Sequence, residues 1–347
     1  METVYRDYGP KGVKFYYLYK SLAHPEHNGY VSPLTLEERL MHVAEAERTL
    51  SSEIPWLADT MANDAKHVLG DAPNPEFLFD EEGRLVSKRL WSDPAALRDD
   101  LAKLVGRVET PTRVSDLDMK TPPKRESAAT GVVPRLEVPG QMQPLKSEPI
   151  LGDQDQDIPF YVKLRAEADP ALINEGKGKL YLGFFLDPLY EVHWNNLVDP
   201  IHFELELPDR LTAAPSSGKG PNVEAKSDAD PREFLVDVEG ATDEPIGLRV
   251  HYFACDDAET FCVPVTQRYT VHLQRDPDGG SRMQSTRGGI TQRLMERNAN
   301  GDGRIERDNL PQEMQARFDR MDANDDGDVD EDELEAMAER MGRRRPN

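Results

Sequence analysis

Cysteine is scarce in this chain of 347 residues, which contains only two. Two cysteines exclude the disulfide framework that stabilises small secreted domains. Basic residues are also under-represented: 42 Lys and Arg face 65 Asp and Glu, for a formal net charge of −23. Nucleic-acid binding depends on clustered Lys and Arg that neutralise phosphates, so we expect no nucleic-acid partner.

Long apolar runs are missing as well. No segment approaches the roughly 18–20 apolar residues of a membrane-spanning helix, so we expect no membrane span. The residues that follow Met1 also lack the apolar core of a signal peptide. We therefore expect no signal peptide in the residues from Met1 onward.

The clearest chemical signal is a twelve-residue loop, 322–333, with oxygen-bearing side chains at alternate positions. Calcium takes about six to eight oxygen ligands. Gly327 stands at position six, where such a loop turns sharply, and the apolar Val329 at position eight; a merely solvated acidic tail would explain neither. The predicted ligands are Asp322, Asn324, Asp326, the carbonyl of Asp328, Asp330 and the bidentate Glu333. The loop resembles an EF-hand.

A second loop, 298–309, repeats the pattern less completely. Position twelve is Asn309, which gives one neutral oxygen where the EF-hand family uses a bidentate carboxylate, so this site should be weaker. It either binds calcium or serves as a degenerate structural partner, and we expect Ile305 and Val329 to pair the loops. Its predicted ligands are Asn298, Asn300, Asp302, the carbonyl of Arg304, Glu306 and Asn309. Both loops fall in a predicted EF-hand pair, 291–342.

Residues 1–106 alternate strand and helix signals. A capping box at Thr35 begins one helix, and Asp93 followed by Pro94 begins another. Strands are predicted at 13–19, 54–58, 76–79 and 84–90, and helices at 35–50, 62–69 and 93–105. The order β-α-β-α-β-β-α predicts a thioredoxin-like α/β domain that lacks its first strand.

Four separated motifs in this domain resemble the iodothyronine deiodinase family and its bacterial relatives. They are Ser21-Leu-Ala-His24-Pro-Glu-His27, Gly29-Tyr30-Val-Ser-Pro33, Asp59-Thr-Met61-Ala-Asn63 and Pro73-Asn-Pro75-Glu76. His24 matches the histidine of the family's acid–His pair, although the acid itself has no match. The family nucleophile, a selenocysteine or cysteine, would precede Met1, and residues 1–106 contain no cysteine. We therefore expect either a start upstream of Met1 or an inactive scaffold.

The middle of the chain reads as β structure between two linkers. Residues 107–148 are rich in proline and predict a linker, and residues 276–290, with two Gly-Gly pairs, predict another. Between them, residues 149–275 contain six apolar or alternating runs, at 160–165, 179–185, 202–207, 233–238, 248–253 and 262–273. This spacing predicts an immunoglobulin-like β-sandwich.

Both cysteines, Cys255 and Cys262, fall in the last predicted hairpin, where facing strand ends can bring two sulfurs within bonding distance. The pattern Tyr252-x-x-Cys255-x-Asp-Ala…Phe-Cys262-x-Pro264, after Tyr190…His193-Trp194, resembles the amino-terminal domain of DsbD-type thiol:disulfide interchange proteins. Six residues separate the cysteines here, where that family is expected to have five. The resemblance implies a redox-active pair; a structural disulfide or two inert thiols are the alternatives.

These signals predict a multidomain α+β protein: a truncated thioredoxin-like domain, a β-sandwich and a C-terminal α-helical EF-hand pair. We expect a calcium-binding protein, with Ca²⁺ as its cofactor, linked to thiol/disulfide chemistry. The alternative is an active thiol-disulfide oxidoreductase that uses Cys255 and Cys262 with a redox protein partner and a complete deiodinase-like domain. Weak calcium sites suit an extracytoplasmic location, periplasmic or secreted, whereas a genuine start at Met1 predicts a cytoplasmic one.

Overall fold

The computed structural model describes residues 1–26, 29–70, 72, 74–119, 122, 128–138, 142–151, 159–256, 260–280, 304–306, 318 and 328–330. The chain divides into two compact units, Met1–Ser281 and Arg282–Asn347. The described residues are mostly β, with few helices. Among them, no helix combines the length and the apolar character needed to cross a membrane.

The first part of unit one follows the predicted order of helices and strands, with one more helix in front. Thr35 accepts a hydrogen bond from the backbone N–H of Glu38, and Asp93 accepts two from Ala95 and Ala96, so both predicted helix starts are confirmed. The elements are α1 (Glu2–Tyr8), β1 (Tyr17–Tyr19), α2 (Leu36–Leu50), β2 (Trp56–Ala58), α3 (Asp64–Leu69), β3 (Glu76–Phe79), β4 (Leu85–Arg89) and α4 (Pro94–Val105).

The four short strands of this part form two separate sheets. β1 and β2 are parallel, with Tyr17 opposite Trp56, and β3 and β4 form an antiparallel hairpin. Helices α1 and α4 pack on the hairpin through a small apolar cluster of Val4, Tyr8, Leu78, Leu97 and Leu101. The described residues therefore reproduce the predicted succession of elements but join the strands in pairs.

The remainder of unit one is an eleven-stranded sheet. Its elements are β5 (Gln143–Pro149), β6 (Val162–Ala168), α5 (Pro170–Glu175), β7 (Lys177–Leu186), β8 (Val192–Asn195), β9 (His202–Glu206), β10 (Thr212–Ala214), β11 (Ser217–Lys219), β12 (Ser227–Asp228), β13 (Arg232–Glu239), β14 (Ile246–Asp256) and β15 (Cys262–Arg275). The strands run in the order β10-β13-β7-β6-β5-β15-β14-β8-β12, and β9 joins β14 to β11. All six predicted runs lie largely within strands.

Strand β5 joins the two halves of this sheet. Gln143 and Pro144 pair with β6, whereas residues 147–149 pair with β15, so the sheet closes almost completely around one apolar core. Leu164, Phe184 and Val236 from one half meet Phe203 and Val250 from the other. The structure differs here from the predicted linker 107–148, because its last six residues belong to the sheet.

Unit two is described at three places. Arg304–Glu306 (β16) and Asp328–Asp330 (β17) form an antiparallel pair. Phe318 is in helical conformation and buried, and Val329 is buried. The other residues of the predicted EF-hand pair, 291–342, lie outside the described residues.

Candidate functional sites

The two predicted calcium loops meet through their central residues. In the β16–β17 pair, Ile305 is opposite Val329, so the predicted pairing is confirmed. Arg304 is opposite Asp330, and Glu306 is opposite Asp328. Positions seven, eight and nine of one loop therefore face positions nine, eight and seven of the other. This register is symmetric, as expected when two similar loops pair about a local twofold axis.

Four predicted calcium ligands, Arg304, Glu306, Asp328 and Asp330, lie in these two strands. The other eight lie outside the described residues: Asn298, Asn300, Asp302, Asn309, Asp322, Asn324, Asp326 and Glu333. Within the described parts of the chain, no group of three or more His, Cys, Asp or Glu side chains is arranged to hold a metal ion. Among the described residues, the structural feature that bears on calcium binding is thus the backbone pairing of the two loops.

Cys255 and Cys262 form a disulfide where β14 ends and β15 begins, next to the connection between the two strands. They are directly opposite in register, with Cα atoms 4.0 Å apart. The expectation that facing strand ends bring these sulfurs together is confirmed. Cys255 is buried and lies beside His193 of β8, whereas Cys262 is exposed. The two cysteine residues therefore differ sharply in their exposure to solvent.

Polar and aromatic groups lie next to the exposed residue Cys262. The Asn195 side-chain amide donates to Cys262 Sγ at 3.5 Å. The preceding residue, Phe261, has its ring centroid 6.0 Å from that of Tyr161, whose ring meets Tyr190 edge-on at 5.3 Å. The disulfide therefore borders a small aromatic surface.

Asp256 binds the two residues that precede Cys262. Its carboxylate accepts hydrogen bonds from the backbone N–H groups of Thr260 and Phe261 and from the Thr260 hydroxyl. Burial alone would raise the pKa of Asp256, but these hydrogen bonds outweigh it and hold that pKa below its ordinary value. The ionised carboxylate thus fixes the backbone that leads into Cys262.

His24, the residue matched to the deiodinase histidine, is exposed on the loop after β1. The contacts described above for Cys255 and Cys262 do not include it. The disulfide and the loop histidine, the two candidate features that the sequence offered in unit one, therefore lie on different elements.

Sequence reasoning missed a buried charged cluster between helix α2 and the sheet. Lys163 of β6 forms an ion pair with Glu38 of α2, and Asp187 lies 3.5 Å from the same ammonium. The Tyr190 hydroxyl donates to Glu38 at 3.0 Å. Nearby, His42 is buried, and its Nδ1 lies 2.7 Å from the Tyr19 hydroxyl. The helix is thus fixed to the sheet through charges whose partners are far apart in sequence.

Comparisons of the chain with protein-family models, curated proteins and solved structures found no match. Functional assignment therefore depends on the residues and their geometry.

Proposed function

We propose that the protein binds calcium through an EF-hand pair formed by loops 298–309 and 322–333. The observation that carries the proposal is the register of β16 and β17, in which position eight of each loop faces position eight of the other. A glycine at position six and alternating oxygen groups accompany that apolar position in both loops. An unstructured acidic tail would require neither the spacing nor the pairing.

The two loops differ in the ligands they offer. Loop 322–333 supplies carboxylates at positions one, five and nine and a bidentate Glu333 at position twelve, whereas loop 298–309 ends in Asn309. Since fewer charged ligands lower the affinity for calcium, loop 322–333 is the tighter site. Loop 298–309 contributes its strand and, at higher calcium concentration, its own weaker site.

Calorimetric titration of the full chain with calcium tests this proposal. Glu333→Gln removes the bidentate carboxylate, and Glu335→Gln, two residues further on, makes the same charge change outside the ligand positions. We expect the tight site to weaken at least about tenfold in the first variant and to be unchanged in the second. An absence of calcium binding at millimolar concentration, or equal affinities in the two variants, contradicts the proposal.

We further propose the finer architecture that accompanies this function: a thioredoxin-like part in residues 1–106, an immunoglobulin-like sandwich in the sheet, and an extracytoplasmic location. Support comes from the succession β-α-β-α-β-β-α and from two sheet halves that share one core. A disulfide in a chain of this size is typical of oxidising compartments, which favours the periplasm or the extracellular space over the cytoplasm.

A second candidate function is thiol–disulfide exchange at Cys255 and Cys262, favoured by the exposure of Cys262. An incoming thiolate from a partner protein would attack the accessible Cys262 Sγ, form a mixed disulfide and release Cys255 as the thiolate. A second partner thiol would then displace Cys262, leaving this pair reduced and the partner oxidised. The exposed Cys262 residue beside an aromatic surface suits such an approach.

Equilibration of the full chain with glutathione buffers separates this function from a structural disulfide. A reduction potential above about −300 mV supports exchange, and a lower value marks a structural bond. The Cys255→Ala/Cys262→Ala variant, which has no disulfide to reduce, provides the baseline for the spectroscopic signal that follows reduction.

A further inference from the structure

The five residues after β15, 276–280, cross from the sheet to the first part of unit one; we name them the strap. At their centre, the Asp278 carboxylate meets three polar side chains from α3 and its N-cap. Lys66 Nζ lies 2.5 Å from it, His67 Nε2 2.9 Å and Asn63 Nδ2 3.1 Å. Asp278 is separated from these partners by more than 200 residues of sequence. The strap was predicted as part of a flexible linker, yet its acid is seated in a polar pocket.

The three groups around Asp278 are positioned by their own part of the unit. Arg39 donates to the Asn63 side-chain oxygen at 3.1 Å, which directs the Asn63 amide nitrogen towards Asp278. The Asp59 carboxylate accepts the backbone N–H groups of Ala65 and Lys66 at 3.0 and 2.9 Å. The Asn63 amide and the backbone of α3 are therefore held by contacts that do not involve the strap.

The pocket favours a negatively charged occupant. Lys66 is buried, with 8 % of its surface exposed. Burial alone would raise the pKa of Asp278, but hydrogen bonds from Lys66 and Asn63 outweigh it and hold that pKa below its ordinary value. Three groups that can donate hydrogen bonds to an oxyanion converge on this carboxylate. A pocket vacated by Asp278 would therefore favour another anion.

The strap is placed so that it can leave without disrupting a strand. It begins where the Asp276 backbone N–H donates to Pro144, and Arg165 holds the Gly279 carbonyl at 2.9 Å. One residue beyond the strap, Ser281 ends the compact unit. Displacement of the strap thus breaks a few hydrogen bonds and no β-ladder.

We propose that Asn63, Lys66 and His67 form a binding site for an oxyanion, the carboxylate or phosphate group of a small ligand, and that Asp278 is its displaceable internal occupant. The internal carboxylate keeps the site closed for most of the time. Ligand affinity is then reduced by the fraction of molecules in which the strap is open. Removal of the Asp278 charge opens the site to ligand.

The test compares full-length Asp278→Asn with full-length Asp243→Asn, which removes the same charge from an exposed residue. Inorganic phosphate and acetate are titrated separately, with the His67 ring signals followed by NMR. We expect at least one anion to bind Asp278→Asn about tenfold or more tightly than Asp243→Asn. Equal binding of both anions to the two variants overturns the proposal. The anion with the larger gain in affinity shows whether the ligand group is a phosphate or a carboxylate. A gain in affinity for either anion supports the site.

A third variant assigns the binding to this pocket. Lys66→Met in the Asp278→Asn background should abolish the gained affinity, and retention of that affinity overturns the proposal. Should the variants fail to fold, hydrogen exchange of the wild-type chain decides. Phosphate or acetate, compared with chloride at equal ionic strength, should speed exchange of the strap amides. Unchanged exchange in both anions overturns the proposal.

Discussion

Lys163 and Glu38 form a buried ion pair across 125 residues of sequence, and this pair fixes helix α2 to the eleven-stranded sheet. Both side chains are at least 94 % buried, and Asp187 and the Tyr190 hydroxyl complete their surroundings. Removal of one member of such a cluster leaves buried charges without compensation.

We predict that Lys163→Met destabilises unit one by about 3–5 kcal/mol, because Glu38 and Asp187 then lose their shared cation. Urea unfolding of the full chain measures the change. Lys146→Met is the matched control, since Lys146 pairs with Glu148 at a site where both side chains are more than half exposed. Its effect should be about 0–1 kcal/mol. Similar losses in the two variants would contradict the assigned role of Lys163.

The stability of unit one should decrease as the pH falls below about 6.5 because His42 is buried in its neutral form. Burial lowers the pKa of His42, against the opposing pull of Asp187. Because the pKa of His42 is lower in the folded state than in the unfolded state, its full contribution to stability is present above the unfolded-state pKa. That contribution is lost as the pH falls through the folded-state pKa. Unfolding free energies measured from pH 7.5 downward check this prediction.

The matched variants for this prediction are His42→Gln and His24→Gln, the second at an exposed loop position. The His42 variant should lose the part of the pH dependence that begins near pH 6.5. The His24 variant should retain it. A wild-type profile that is flat between pH 7 and pH 5 is incompatible with a buried neutral His42.

Reduction of the Cys255–Cys262 disulfide should destabilise unit one by about 2–3 kcal/mol, the amount expected from chain entropy for a short closed loop. The cysteines are seven positions apart in the sequence. Urea unfolding with and without a phosphine reductant measures the difference. The Cys255→Ala/Cys262→Ala variant should be insensitive to the reductant, and a reductant effect of the same size in that variant would refute the explanation.

Val329→Ala should weaken calcium binding about tenfold, because it removes roughly 1.6 kcal/mol of apolar burial from the strand that pairs the loops. Val329 is fully buried. Val68→Ala, at a residue that is 84 % exposed, serves as the control and should leave the calcium affinity unchanged. Titration calorimetry on both variants distinguishes a paired module from two independent loops, for which Val329→Ala would have no effect on affinity.

Local signals were sufficient to predict much of this fold. The caps at Thr35 and Asp93 and the alternating runs of the sheet are encoded within a few residues, and so is the register of Ile305 with Val329. Strand β5 was missed because Pro144 and Pro149 make it read as a linker.

Long-range contacts could not be predicted in the same way. Glu38 and Lys163 are each ordinary charged residues in their own segments, and Asp278 lies in a glycine-rich stretch that reads as flexible. Only the folded chain brings their partners together. The same is true of the difference in exposure between Cys255 and Cys262, which depends on the strands beside them.

The double pairing of β5 sets a practical limit on how the β-rich part can be isolated. A polypeptide cut to begin at residue 149 would lose nearly all of the strand that lies between β6 and β15. Both neighbours would then present unpaired backbone to other molecules, which is a recognised route to aggregation. A soluble fragment should therefore begin upstream of Gln143.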